Sequence, residues 1–156
     1  MWGIDVIGLI SPKASSGHLF LLVAIDYFTK WIEAITLASV TAIVVACFLK
    51  RDIIAQYEVP ATIITDNAKN LNNKVVDELC AQFKIQHCNS SPYRPQMNSA
   101  VEAANKNIKK IIDKMTENYK DWHEMLPFAL LAYRTSIRTS TGVPHTPWST
   151  AWKQFS

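Results

Sequence analysis

No apolar stretch in this sequence reaches the roughly 18 residues that a membrane-spanning helix needs. The longest, residues 19–25, has the length of a strand. The N-terminus lacks the basic-then-apolar layout of a signal peptide, because Asp5 interrupts it. No membrane partner is expected. Cysteine is scarce: Cys47, Cys80 and Cys88 are odd in number and form no CxxC. That pattern excludes a disulfide framework and fits a reducing intracellular compartment. It also argues against zinc, since His87 and Cys88 are adjacent and no second pair stands at ligand spacing. Repeats and low-complexity segments are missing. So is strong charge of one sign: the net charge is +3, which by itself names no partner.

What is present is apolar. Hydrophobic residues make up 49% of the 156, enough for one globular domain with a real core and too few for two. Runs 2–10, 19–25 and 31–37 read as strands at short spacing, which predicts an antiparallel meander. Residues 40–57 have helical length, with Ser39 or Thr41 as a cap. Pro60 stops that helix, and 61–65 is a short β-branched strand ending at Asp66. Residues 71–83 predict a helix with Leu71, Val75, Leu79 and Phe83 on its buried stripe. A short strand at 85–88, a loop at 89–96 and a long helix at 98–119 follow. A last helix spans 121–136, with Pro127 expected to bend or break it. This order favours a mixed α/β sheet with helices on both faces.

Three carboxylates stand out. Asp5 lies inside an apolar strand, between Ile4 and Val6, where an ionised group is expensive unless paired or bound to metal. Asp66 ends a strand, the place where sites collect in α/β sheets. Glu102 falls on a helix, which turns about 100° per residue. Asn105, Lys106, Lys109 and Asp113 then lie within roughly 60° of its direction, whereas Val101, Ala104, Ile108, Ile111 and Met115 form an apolar side about 130° away. Glu102 therefore sits on a polar, basic flank beside the buried stripe. Lysines 106, 109, 110, 114 and 120 make this stretch a local basic face suited to a polyanion. Each carboxylate also has a plainer reading. Asp5 could pair with a lysine or sit at the sheet rim, Asp66 could cap a turn, and Glu102 could be an ordinary solvated residue.

The flanking motifs narrow the choice. The stretches WGIDVIG (2–8), VAIDYFTKWIEA (23–34), IITDNAKN (63–70), SPYRPQMNSAVEAANKNIK (91–109) and DWHEMLPFALLAYRTSIRTSTG (121–142) resemble the integrase core of gypsy-type long-terminal-repeat retrotransposons, particularly plant ones. That family places one aspartate in the first strand, a second in a TDN motif and a glutamate after 35 intervening residues, the spacing of Asp66 and Glu102. The resemblance implies a ribonuclease-H-like fold with a mixed five-stranded sheet over residues 1–142. It implies a polynucleotidyl transferase performing 3′-end processing and strand transfer on double-stranded DNA. Asp5, Asp66 and Glu102 would be both catalytic residues and ligands of two Mg²⁺ or Mn²⁺ ions, hard cations that prefer carboxylate oxygen. No protein nucleophile is needed. Lys106 and Lys109 are candidates for backbone contacts with DNA, or a solvated helix face. Tyr93, Arg94 and Gln96 lie in the proline-bounded loop that approaches DNA in the family, or in a plain turn. Asn67 and Asn98 fit substrate positioning or turn holding equally. A homo-oligomer and a nuclear location are implied as well. The histidines read as structural or exposed, and Trp122 and Tyr133 as core or oligomer contacts.

The sequence also departs from the family. Ala68 stands where members usually have glycine after Asp-Asn, so backbone strain is expected there. Met97 and Ser99 replace residues that are usually small or glycine. After Gly142 the family continues close to TPYSLVYGMEAV, whereas this chain reads VPHTPWSTAWKQFS. A back-translation of 143–155, read two bases later, can spell the family motif. Residues 143–156 are accordingly expected to be a frameshifted tail outside the fold. The zinc-binding N-terminal and basic C-terminal domains typical of integrases are not in this sequence. A second reading follows: a catalytically silent DNA-binding or dimerisation remnant of a decayed element. A general ribonuclease-H-like nuclease acting on RNA–DNA hybrids fits the TDN-to-glutamate spacing less well.

Overall fold

The computed structural model describes residues 1–11, 14–89, 95–118 and 121–141. Strands β1 (Trp2–Ile7), β2 (Phe20–Asp26) and β3 (Ile32–Leu37) come first. Helix α1 (Ala42–Phe48) continues into a π-helical segment, Leu49–Ile54. Then follow β4 (Thr62–Thr65), α2 (Lys74–Gln82), β5 (Gln86–Asn89), α3 (Pro95–Asn118) and α4 (Trp122–Thr141). The five strands form one sheet in the order β3-β2-β1-β4-β5. The predicted meander is present, β1 and β2 pairing antiparallel, as do β2 and β3. β4 joins parallel to β1, and β5 parallel to β4, so β1 is the central strand.

Strand alternation sends successive side chains to opposite faces. Trp2, Ile4, Leu22, Ala24 and Ile63 meet Val45, Phe48, Leu49, Ile53, Val76 and Cys80 on the side of α1 and α2. Leu21, Val23, Ile25 and Ile32 meet Ala104, Ile108, Ile112, Trp122, Leu126, Leu130 and Tyr133 on the side of α3 and α4. Both faces are thus covered by helices, as the order of elements predicts, and Trp122 and Tyr133 belong to the core.

Local chemistry sets the helix ends. The Thr41 hydroxyl accepts from Val44 N at 3.3 Å and caps α1. Asn73 caps α2, accepting from Val76 N at 3.1 Å, so α2 begins three residues later than the apolar pattern predicts. Its buried stripe is Val76, Leu79 and Cys80, while Val75 is exposed. The expected stripe used a strict four-residue step, which drifts about 40° per step on a real helix and carries Val75 off the core face. α3 starts at Pro95, inside the expected loop; the fixed φ and missing N–H of proline suit a first helical position. α4 runs through Pro127 and on to Thr141, so the expected break does not occur. Proline removes one internal hydrogen bond there, and the apolar face of α4 against the sheet outweighs it. The predicted tail, 143–156, lies outside the described residues. Among the described residues no helix is long and apolar enough to cross a membrane.

Candidate active site

Pairing β1 with β4 matters most for the site. Their parallel register sets Trp2 beside Ile63, Gly3 beside Ile64 and Ile4 beside Thr65. One step further along both chains, Asp66 comes level with Asp5. Ile4 faces α1 and α2, so by alternation Asp5 faces α3, in line with its β2 partner Val23 in the α3–α4 core. Asp66 itself lies just past the last paired residue of β4, next in the chain to Thr65.

Asp5 is partly buried at this place. Burial pushes its carboxyl above the ordinary carboxylate range, a backbone hydrogen bond from Val6 N at 2.8 Å pulls it back, and the negative charges of Asp66 and Glu102 push it up further. The three predicted carboxylates therefore occupy one electrostatic neighbourhood, contributed by β1, the end of β4 and α3. Glu102 is exposed on α3; Ala104 and Ile108 are buried as the projection predicts, whereas Ile111 is only partly buried and Ile112, outside the predicted stripe, is buried in its place. Asp66 is exposed, and its Oδ1 accepts from Ala68 N at 3.0 Å, so the plainer turn-holding role is also performed. Ala68 itself is unstrained: among the described residues positive φ at non-glycine positions occurs only at Lys30, Glu58 and Lys84. The strain expected at Ala68 is absent because its backbone here does not use the left-handed region.

Asn105 is the site residue that sequence reasoning placed nearby without giving it a role. Its side-chain amide donates to Asp5 Oδ2, tying α3 to β1. Three residues beyond Glu102, it projects from the same side of the helix. Tyr27, just after β2, was not singled out at all. It is buried, and its hydroxyl is pushed up first by that burial and then by the charge of Asp5.

Lys106 and Lys109 are exposed on α3. Lys109 and Asp113 line a cavity of about 50 Å³ with Ile7 and the segment after β1, so the basic flank reaches the end of the central strand. Gln96 and Asn98 lie in the first turn of α3, with their side chains outside the described residues. Tyr93 and Arg94 lie outside the described residues altogether.

The donor set is all oxygen, the chemistry a hard divalent cation requires, and mutual repulsion at Asp5 is what such a cation would relieve. Among the described residues no three His, Cys, Asp or Glu side chains converge closely enough to form a metal cage. Asp5 is held by Asn105 and Val6, and Asp66 by Ala68. The donor chemistry and the charge suit a hard divalent cation, and the described side chains do not converge on a point that would hold one.

Comparison with known proteins identifies the family and the fold. A family model described as the integrase core domain matches residues 1–95, more than half of the chain. The Gag-Pol polyprotein of avian reticuloendotheliosis virus is 36% identical over 137 residues, covering 85% of this chain and 12% of that protein. The Gag-Pol polyprotein of gibbon ape leukemia virus is 34% identical over 125 residues, 77% of this chain and 7% of that one. The chain thus spans about an eighth or less of the curated relatives it matches. The crystal structure of the catalytic core domain of BIV integrase superimposes with a TM-score of 0.69 over 84% of this chain and 80% of that one, at 21% identity. That likeness establishes the shared ribonuclease-H-like fold.

Proposed function

Because the chain belongs to the integrase core domain family, we propose that it is a polynucleotidyl transferase core that processes and joins retroelement DNA ends, with Asp5, Asp66 and Glu102 as its catalytic carboxylates. The observation that carries the reading is the β1–β4 register. It pairs Ile4 with Thr65, the residues just before Asp5 and Asp66, and the charges of Asp66 and Glu102 both act on Asp5, which supports one shared site.

The three carboxylates would hold two Mg²⁺ or Mn²⁺ ions. Such ions, when bound, make an attacking water or 3′-hydroxyl more nucleophilic and stabilise the leaving oxygen. The chain's own residues do the rest. Asn105 holds Asp5 in one rotamer before substrate arrives. Lys106 and Lys109 neutralise backbone phosphates of duplex DNA entering along α3. Arg94 and Tyr93, with Gln96 and Asn98 at the start of the same helix, are further DNA contacts on the motif's evidence. The motif stretches support a gypsy-type retrotransposon origin, with a homo-oligomer acting in the nucleus. We also assign 143–156 to a frameshifted tail; coding DNA with no overlapping frame for LVYG would sink that assignment.

The test is a disintegration and strand-transfer assay on branched and blunt duplex DNA with Mg²⁺ or Mn²⁺. Asp66→Asn is expected to lose at least about 100-fold in rate, since a metal clamp supplies several kcal/mol to the transition state. Equal rates in wild type and variant would rule out catalysis. They would favour instead a silent DNA-binding or dimerisation remnant. Lys106→Ala and Lys109→Ala should each weaken duplex binding evenly across sequences. Each should also lower the slope of log affinity against log salt by about 0.9, the contribution of one phosphate contact. A sequence-dependent loss with an unchanged slope would take both lysines off the DNA.

A further inference from the structure

We infer that a hydrogen-bonded chain from Asp77 through His87 to Thr65 positions Asp66 from beneath the sheet, an inference that rests on the function proposed above. Thr65 Oγ1 lies 2.8 Å from His87 Nε2, and His87 Nδ1 lies 2.6 Å from Asp77 Oδ1. Thr65 is the last residue of β4 and is 1% exposed. The His87 side chain is 9% exposed and that of Asp77 57%, so the chain runs from the core to the surface of α2. It joins three elements, β4, β5 and α2, and no other hydroxyl of β4 is as deeply buried.

The polarity follows from the groups. An ionised Asp77 can only accept, so Nδ1 of His87 carries a proton and donates to it. The other ring nitrogen bonds the Thr65 hydroxyl, which can donate or accept, so the buried hydroxyl keeps its partner. Asp77 thus orients His87, and His87 fixes the rotamer of Thr65.

The location gives the chain its consequence. Thr65 is the last residue of β4 held on both sides, beside Ile4 of β1 and Asn89 of β5. Beyond it the ladder ends, and the direction of Asp66 is set by whatever fixes Thr65 and by the turn bond from Ala68 N. Thr65 shares a face with Ile63 and Ile4, toward α2, while Asp66 alternates to the α3 face. The chain therefore lies on the α2 side of β4, away from α3. It anchors the strand end from the opposite side, and Thr65, His87 and Asp77 are positioning residues for Asp66.

The experiment compares the full 156-residue chain with Thr65→Val, Thr65→Ser, Asp77→Ala and Asp66→Asn. Mn²⁺ alone is titrated by water-proton relaxation, melting is followed in parallel, and kcat and KM are measured in the disintegration assay. Thr65→Val keeps the shape and removes the hydroxyl. It is expected to weaken Asp66-dependent Mn²⁺ binding about five- to tenfold, the weight of one hydrogen bond, and to lower kcat with KM for DNA unchanged. Thr65→Ser should stay within about twofold of wild type, and exposed Asp77→Ala should fall between the two. Wild-type Mn²⁺ affinity in Thr65→Val, or an equal loss in Thr65→Ser, would overturn the positioning role and leave the proposed function standing. Mn²⁺ binding that Asp66→Asn does not alter would instead defeat the proposed function, and this inference with it.

Discussion

Asp5→Asn is expected to raise the melting temperature of the metal-free protein by about 2–4 °C, the shift that about 1 kcal/mol produces in a chain of this size. The same substitution should cut metal-dependent strand joining by a factor of about 10²–10⁴. The two effects have one cause. Burial is the largest influence on Asp5 and disfavours its charge, and Asp66 and Glu102 add repulsion. An amide of the same shape removes that charge, and Asn105 can turn its own amide over to keep the contact. Because the folded-state pKa is raised, folding favours protonated Asp5. The cost of ionising it is absent below the ordinary value of 3.8, grows from there up to the higher folded-state value, and stays constant above it. The stability difference between wild type and Asp5→Asn should therefore widen from acid toward neutral pH. Added Mn²⁺ should raise the melting temperature of wild type alone. Scanning fluorimetry at several pH values, with and without Mn²⁺, checks both parts. A variant less stable than wild type at neutral pH would show that the bond to Asn105 outweighs the repulsion.

This balance explains which parts of the site were legible in the sequence. Motif spacing named Asp66 and Glu102, and an acid inside an apolar strand named Asp5, because each signal is local. Their shared electrostatic neighbourhood depends on β4 pairing with β1 in parallel. That pairing joins residues about sixty positions apart and is written in no short window. Helix projection placed Asn105 beside Glu102 correctly, yet only the approach of α3 to β1 shows that its amide holds Asp5. His87 looked merely structural because its two partners lie on β4 and α2. The error at Val75 has a different origin, a straight four-residue step imposed on a helix of 3.6 residues per turn. At Ala68 a family habit was mistaken for a requirement of this backbone.

The second large effect concerns a residue distant in sequence from the carboxylates. Arg134→Met is expected to destabilise the fold by about 3–5 kcal/mol, the usual result of stranding one member of a buried ion pair. In a chain of this length that lowers the melting temperature by about 6–20 °C. Arg134, on α4, reaches Glu33 Oε1 at 3.1 Å and the Ile32 carbonyl at 2.5 Å, with both charged side chains about nine-tenths buried. Its guanidinium stacks 4.1 Å from the centre of the Trp31 ring. Burial alone pushes that guanidinium down, and the charge of Glu33 holds it up. Glu33 also accepts from Trp31 Nε1 at 3.0 Å and from the Tyr57 hydroxyl, which burial and Glu33 together push far above the ordinary tyrosine range. Methionine replaces the aliphatic stem of Arg134 but leaves the Glu33 charge without its cation. Adding Glu33→Gln removes that charge while its carbonyl still accepts from Trp31 and Tyr57, so the double variant should recover at least half of the loss. Strictly additive losses in urea titrations of the two single variants and the double variant would show that the pair is not coupled. The network also bears on function, since Arg134 fastens α4 to β3, and α4 buries Leu126, Leu130 and Tyr133 with Ala104, Ile108 and Ile112 of α3. α3 in turn presents Glu102 and holds Asp5 through Asn105. Strand joining by Arg134→Met should therefore fail on warming together with folding, and return to near the wild-type rate about 20 °C below the variant's Tm.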